Sequence, residues 1–561
     1  MPITSNFELT STYPDGYLPV ATLPDFCLKL FEEYGNKPAF IFAPTGETNS
    51  YADVVQIVRH LAAGLYHRFG LRKGQVVATC TSNRPEFLFT LLAVQLVGGV
   101  LTTANPAYTE EELAQQFVSS CPNLILTETE QLEKVSKVLP QLQSIKGICL
   151  ANGDGHHGMV TVAELVEVGK MLPLLQYPTI DPKADLACIL YSSGTTGLPK
   201  GVMLTHYNLV YNLCQSTSVH QPAKSRSDMS MPEQSDVVYS PFPYFHLGGL
   251  HIGLLWCLVQ GATVVCMPQY EPRKFLQLIQ KYKVTLLVLP PPILVFLAKS
   301  QLIDHYDLSS LKRVFSGAAP ISKEAMQEVL QRLPSVKQCS QFYGMTEVSC
   351  LITQSPNTEK GRAKLDAVGM LMPGVRCKFV DPENGSRTCQ PMEVGELWVK
   401  GPQVMKGYLN NPKATADTIT ENGWMKTGDL GFYDTDEFLY VCDRLKELIK
   451  VKAFQVPPAE LEALILRHPA VAEVIVIGVP DLYAGELPRA YVVLKDGHRA
   501  TERDIAEHVK TRVVAYKRLA GGVRFVDSLP KTGSGKLLRK VLREEARAEA
   551  KEKAERRQAK L

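Results

Sequence analysis

The spacing of apolar positions alternates between two periods from about residue 52 to 140. At 53–69, 85–96, 110–119 and 131–139 apolar side chains recur every three or four residues, the mark of helices with a buried face. Between them lie short extended runs at 75–80, 100–103 and 123–127. Helices alternating with short apolar strands build a parallel sheet covered on both faces. The same theme returns at 186–191, 263–266, 285–289 and 313–316, each followed by a turn or helix. Sheets of this kind place ligand loops at the carboxyl ends of their strands. The loops after those runs are therefore where chemistry is expected.

After residue 375 the texture changes to short strands and tight turns, at 377–380, 395–400 and 438–442. From residue 443 the chain has helices of its own at 458–467 and 502–512, with strands at 472–477 and 490–494. The predicted fold class is α/β. A large N-terminal domain, 1–442, would hold parallel-rich sheets covered by helices and a β-subdomain, followed by a small α+β C-terminal domain, 443–561. The stretch 247–267 is long enough to cross a bilayer. It carries His251, Gln260 and four glycines and ends in a strand-like run, so it reads as a buried helix feeding a strand. No transmembrane segment is expected.

Composition adds boundaries rather than detail. The 561 residues are 45% hydrophobic and 21% charged, with a net charge of +3. That balance excludes a disordered chain and a dedicated nucleic-acid coat, and no nucleic-acid partner is expected. The charge is unevenly placed: residues 536–561 hold ten basic and five acidic side chains, which leaves the remainder slightly acidic. Its Ala/Glu/Lys/Arg composition predicts a solvated helix. Thirteen cysteines are scattered singly with no C-x-x-C, and several lie in apolar runs, which reads as a reducing compartment. Residues 1–10 lack the basic-then-apolar pattern of a signal peptide.

The densest candidate chemistry follows the strand-like run at 186–191. Ser192, Ser193, Gly194, Thr195, Thr196, Gly197 and Lys200 lie within nine residues. Glycines let backbone N–H groups curl round an anion, hydroxyls donate to phosphate oxygens, and a lysine supplies charge. The loop is not a Walker A motif, because Pro199 and Gly201 stand where that motif needs glycine and a hydroxyl residue. The bland alternative is a polar connection. A G-x-G-x-x-G match at 153–158 lacks a following strand ending in an acid and reads as a surface turn. The run 531–536 alone would be called a flexible turn.

With these residues in view, the chain resembles the ANL superfamily of adenylate-forming enzymes: acyl-CoA synthetases, firefly-type luciferases and peptide-synthetase adenylation domains. The resemblance spans roughly residues 25 to 540. It rests on motifs in the family's order at 192–201, 243–246, 316–320, 341–347, 395–407, 427–429, 443–446, 449–460 and 530–536. It is strongest to 4-coumarate–CoA ligases and their peroxisomal acyl-CoA ligase relatives. The implied activity is an acid–CoA ligase with ATP, Mg²⁺ and coenzyme A: a carboxylic acid becomes acyl-AMP with release of pyrophosphate, and the CoA thiol then displaces AMP.

The resemblance also implies roles. Ser192 to Lys200 would hold the β- and γ-phosphates, with Thr195, Thr196 and Lys200 foremost. In the run that includes Gln341 and Gly344, Tyr343 would stack on adenine, Thr346 would contact the α-phosphate and Glu347 would coordinate Mg²⁺. The bland alternative for Glu347 is a buried structural carboxylate. Asp429 and Arg444 would grip the ribose, and Lys536 would serve as the adenylation lysine. Asp443 would be a hinge about which the small domain swings, withdrawing Lys536 and presenting Lys450 and Gln455 for thioester formation. His246, which alone would read as a core histidine, would orient the acyl carboxylate. Phe245, Gly248, Gly249, Gly317, Ala318, Ala319 and Pro320 would line the acyl pocket. Many plant 4-coumarate ligases carry an aromatic residue at the Gly248 position, so glycine there implies a bulkier or longer hydrophobic acid, fatty or aryl.

One departure stands out: Ala453 replaces the family's glycine beside the pantetheine passage, which puts the thioester step in doubt. Two rival readings remain, a luciferase-like or adenylate-only enzyme and a degenerate ATP- or acyl-binding protein. The final Ala559-Lys560-Leu561 resembles the Ser-Lys-Leu peroxisomal address and implies a peroxisomal import receptor as partner.

Overall fold

The computed structural model describes residues 7–13, 19–153, 159–173, 175–192, 199–216, 231–319, 321–451, 454–481, 484–531 and 537–558, with backbone alone at Lys446, Phe454, Gln455 and 552–558. The phosphate-loop residues Ser193, Gly194, Thr195, Thr196 and Gly197 lie outside the described residues, as do Pro320, Ala453, Lys536, the turn at 154–158 and the terminal Ala559-Lys560-Leu561.

The chain divides into two compact units. One comprises 9–377 with 399–425; the other comprises 1–8, 378–398 and 426–561. The strands at 378–398 and 426–442 thus group with the C-terminal residues, whereas the sequence places the boundary at 442/443.

The larger unit holds two sheets. In the first, parallel strands Val100–Thr103, Val76–Cys80, Leu124–Thr127 and Gly147–Leu150 lie side by side, with Leu186–Ser192 parallel to Val100–Thr103. The helices between them, Tyr51–Arg68, Pro85–Leu96 and Glu110–Ser120, match the spacing read from the sequence. Their starts are locally encoded: Ser50 with Asp53 and Thr109 with Glu112 form capping boxes that satisfy otherwise orphaned N–H groups. The second sheet sets Thr263–Cys266, Val237–Tyr239, Leu286–Leu289, Arg313–Ser316 and Gln338–Met345 in parallel register. Its core includes Phe275, Leu287, Leu294 and Val314, all buried.

Leu186–Ser192 is followed by the phosphate-loop run and then by an antiparallel partner, Lys200–Thr205, with Lys200 opposite Ser192. The apolar stretch at 247–267 is, as expected, a buried helix feeding a strand: a π-helix, Gly248–Leu255, continues as Trp256–Val259 before Thr263–Cys266. Among the described residues no helix is long and apolar enough to cross a membrane.

In the smaller unit Met425–Tyr433 pairs antiparallel with Leu439–Arg444. A separate sheet of Phe454–Val456, Ile449–Val451, Gly485–Leu494, Val471–Asp481 and Gly522–Phe525 packs against helices Pro458–Leu466 and Glu502–Lys510. The tail forms a helix, Arg539–Gln558, as expected, but it is not solvated all round. Leu542 and Ala546 are buried beside Ile475, Ile477 and Tyr491. No two of the thirteen cysteines are joined as a disulfide. Burial pushes the thiols of Cys188 and Cys339 up to about 12, so they stay protonated and act as small apolar groups.

Candidate active site

In the larger unit, the chemistry gathers where the sheet strands end. Ser192 closes one strand, and Lys200 opens its antiparallel partner on the far side of the glycine-rich turn. Strand Gln338–Met345 runs into a 3₁₀ turn, Thr346–Val348, that delivers Glu347. Ser192 Oγ donates to Glu347 Oε1 at 3.1 Å, and the Tyr408 hydroxyl donates to the same oxygen at 3.0 Å. The Glu347 carbonyl accepts the Met405 N–H at 2.8 Å. Glu347 is 6% exposed, and both of these side-chain bonds land on Oε1. A carboxylate held by one oxygen and offering the other is a suitable oxygen ligand for a hard cation.

Tyr408 was not picked out by the sequence, although it directly follows the 395–407 motif. The Lys200 ammonium stands 4.9 Å from the centre of its ring, a cation–aromatic contact that holds the lysine near Glu347. Burial and the Glu347 charge raise the Tyr408 hydroxyl above its ordinary pKa, so it stays a donor.

The backbone after Glu347 is strained: Ser349 has φ +57° and Cys350 has φ +115°. Neither is glycine, and non-glycine residues in such conformations cluster at working sites. A Cβ on Gly344 would lie well inside 3.0 Å of the Cys350 carbonyl, so only glycine fits there. Tyr343 and Thr346 are partly exposed beside these residues. Gln341 is buried, and its amide nitrogen donates to the Leu365 carbonyl at 2.6 Å. That bond fixes the side chain against the protein's own backbone.

Asn83 accepts the Tyr244 N–H and donates to the Phe242 carbonyl, while Thr103 donates to the Phe245 carbonyl at 2.6 Å. These bonds seat the turn that presents His246. The His246 and Phe245 rings lie 4.6 Å apart, and His246 donates its N–H to Pro243. The π-helix that follows packs tightly on this turn through Gly249, whose Cβ would lie 2.8 Å from the Phe242 carbonyl and closer still to that of Pro243. At Gly248, by contrast, a Cβ meets nothing within 4 Å. Gly317 lies against the Phe342 ring, and Ala318 takes φ +71°. Ala319 is partly exposed.

The smaller unit carries the remaining roles. Asp429 pairs across the strands with Arg444, whose guanidinium holds its carboxylate at 3.0 Å. Thr427 Oγ accepts the Asp429 N–H and donates to the Leu397 carbonyl, which fixes the turn between them. Asp443 is buried; its carboxylate accepts the N–H groups of Arg444 and Ala459, and burial raises its pKa despite those bonds. Lys450 is exposed on a hairpin directly opposite Gln455.

Among the described residues no group of three or more His, Cys, Asp or Glu is arranged to hold a metal. The donor set at Glu347 instead suits Mg²⁺, which keeps several waters and takes one or two carboxylates plus substrate phosphates.

Comparison with known proteins identifies the family. Residues 29–409 match the family model described as AMP-binding enzyme, and 460–536 match the AMP-binding enzyme C-terminal domain. A 4-coumarate–CoA ligase of Humulus lupulus is 38% identical over 541 residues, covering 96% of each chain. A 4-coumarate–CoA ligase of Arabidopsis thaliana is 39% identical over 546 residues, 96% of this chain and 95% of that one. The ATP-bound crystal structure of MatB from Rhodopseudomonas palustris is similar with a TM-score of 0.80 and 29% identity, covering 92% of this chain and 98% of its own.

Proposed function

This chain belongs to the AMP-binding enzyme family of the ANL superfamily, and from that premise we propose how its AMP-forming acid–CoA ligase activity is carried and on what acid it works. A free carboxylate has no adequate leaving group. One of its oxygens attacks the α-phosphorus of ATP, the bond to the β-phosphate breaks, and acyl-AMP and pyrophosphate result. The sulfur of coenzyme A then attacks the acyl carbon and AMP leaves.

The observation that carries this reading is the Glu347 cluster. A carboxylate held through one oxygen by Ser192 and Tyr408, with Lys200 beside it at the mouth of a hydroxyl- and glycine-rich turn, is built for a metal-bound polyphosphate. Mg²⁺, when bound with ATP, supplies charge neutralisation on the phosphates. Lys200 and the hydroxyls of 192–196 hold the β- and γ-phosphates, Tyr343 stacks on adenine and Thr346 contacts the α-phosphate. Asp429, kept in place by Arg444, accepts the ribose hydroxyls. Lys536 neutralises charge as it builds on the α-phosphate, and His246 orients the acid. Asp443 is the hinge, and Lys450 with Gln455 serves the thioester step.

The acid is hydrophobic and larger than a plain hydroxycinnamate: what supports this is that a Cβ at Gly248, two residues after His246, would meet nothing within 4 Å. A medium- or long-chain fatty acid or a substituted aryl acid fits that room. ATP–pyrophosphate exchange with an acid panel, followed by AMP release on adding CoA, tests the proposal. Strict preference for coumarate-sized acids refutes the substrate class, and exchange without CoA-dependent turnover favours an adenylate-only enzyme, the reading that Ala453 supports.

A further inference from the structure

The loop from Pro530 to Leu538 is pinned at both ends. Lys531 and Leu537 form an isolated antiparallel bridge, and the Leu538 N–H donates to the Pro530 carbonyl at 2.8 Å. The two shoulders are anchored differently. On the first, Lys531 Nζ meets Glu473 at 2.7 Å, with the two side chains 32% and 42% exposed; such a surface pair contributes little. On the second, Arg539 opens the tail helix and its Nη2 is bonded to Glu462 Oε2. Here the side chains are 20% and 12% exposed. One turn on, Arg543 Nη2 meets Glu447 Oε2 at 2.6 Å and the Glu447 carbonyl at 3.2 Å.

Both acceptors sit next to the proposed hinge. Glu447 is four residues after Asp443. Glu462 lies on the Pro458–Leu466 helix, whose Ala459 N–H is held by the Asp443 carboxylate at 2.9 Å. Glu462 is also tied to the lid sheet, since its Oε1 accepts the Val476 N–H at 2.7 Å. Arg539 is thus bonded to Glu462, and the charges of Asp443 and Glu447 also act on it. A buried charge pair is costly to form and costly to break by removing one partner. Packing alone can hold the helix through Leu542 and Ala546, so a charge cluster here calls for a further reason.

We propose that Arg539, clamped by Glu462, is a positioning residue for adenylation: it locks the second shoulder of the 530–538 loop to the hinge, so that Lys536 is delivered to one place. This rests on the reading of Lys536 as the adenylation lysine. The clamp lies wholly on the hinge-and-lid side, so it travels with the loop. Lys536 acts only in the first half-reaction, and the clamp is needed only there. Misplacing a reacting group by about 1 Å costs on the order of 10²-fold.

The test separates the half-reactions in the full-length enzyme. Glu462→Gln keeps an oxygen for the Val476 N–H and gives up the charge. Arg539→Lys keeps the charge and gives up the fork, so it leaves Asp443 and Glu447 neutralised. Both variants are expected to slow ATP–pyrophosphate exchange by roughly 10- to 100-fold. With acyl-AMP supplied and CoA added below the variants' thermal midpoints, which loss of the buried pair is expected to lower, thioester formation should stay within about twofold of wild type, since the clamp bears on one step alone. Equal losses in both half-reactions would make the clamp structural and overturn the proposal, as would exchange at the wild-type rate. Lys536→Ala is the separate control: if it exchanges as fast as wild type, the reading of Lys536 falls and takes this inference with it. Loss of exchange in Lys536→Ala but not in Glu462→Gln or Arg539→Lys overturns the clamp alone.

Discussion

Two neighbouring glycines in the π-helix after His246 give the sharpest local test, because the structure assigns them opposite consequences. At Gly249 an added Cβ would lie 2.8 Å from the Phe242 carbonyl and closer to that of Pro243, both backbone atoms of the turn that carries His246. Backbone cannot yield as a flexible side chain does, so Gly249→Ala is expected to cost about 1–3 kcal/mol through overpacking. At Gly248 the same methyl meets nothing within 4 Å. Gly248→Ala removes backbone freedom from the unfolded chain and is expected to be neutral or stabilising by up to about 1 kcal/mol. Two identical substitutions one residue apart should therefore differ by roughly 1–4 kcal/mol. Urea denaturation of both variants beside wild type measures the gap, and kcat/KM on the acid panel measures the functional side. Gly249→Ala should impair every acid, since it shifts His246. Gly248→Phe should spare small aryl acids and penalise the bulky or long ones by about tenfold or more, as filled space costs over 1.4 kcal/mol of lost binding. Equal stability of the two alanine variants would refute the close approach of Pro243. A uniform loss across acids in Gly248→Phe would refute the assignment of Gly248 to the acyl pocket.

Other outcomes follow from the same structure. Glu347→Gln keeps an oxygen for Ser192 and Tyr408 while losing the charge, so the thermal midpoint should hold while the Mg²⁺ needed for half-maximal exchange rises about tenfold or more; an unchanged Mg²⁺ requirement would return Glu347 to a structural role. Glu486 accepts the Lys450 N–H at 2.9 Å, so Glu486→Ala should slow thioester formation from supplied acyl-AMP and leave pyrophosphate exchange near wild type; a fall in exchange alone would contradict it. Burial lowers His206 to about 4 and His251 to about 3, so both stay neutral in the fold. The unfolded chain takes up those protons first as pH falls below 6.5, so stability drops through the window from 6.5 toward 4, by about 2 kcal/mol per histidine between pH 7.5 and 5. Urea midpoints at the two pH values check this, and His251→Leu should remove its share of the slope. A fluorescent reporter ending in residues 539–561 should enter peroxisomes and lose that address when Leu561 is deleted; cytosolic signal from the intact tail would show that the terminal tripeptide is not read.

Much of the site is legible in the residues because its groups are local in sequence. A turn that cradles phosphate needs its glycines, hydroxyls and lysine within a dozen positions, so 192–200 announces itself. The spacing of apolar residues likewise places Pro85–Leu96 and Val100–Thr103 to the residue. What stays hidden is any partner supplied from far along the chain. Nothing near Glu347 tells that Tyr408 donates to it from 61 positions away, nor that Gln341 spends its amide on the Leu365 carbonyl.

Periods, caps, ordered motifs and the chemical class of each loop can be read from the chain alone, since these depend on a residue and its near neighbours. Folding settles the rest: the strands on either side of the phosphate-loop run pair antiparallel, Gly248 opens on space while Gly249 is pressed on carbonyls, and the charged tail helix buries one face. Each of those is settled by atoms brought together from distant positions, where packing and unmet hydrogen bonds, not local preference, choose the outcome.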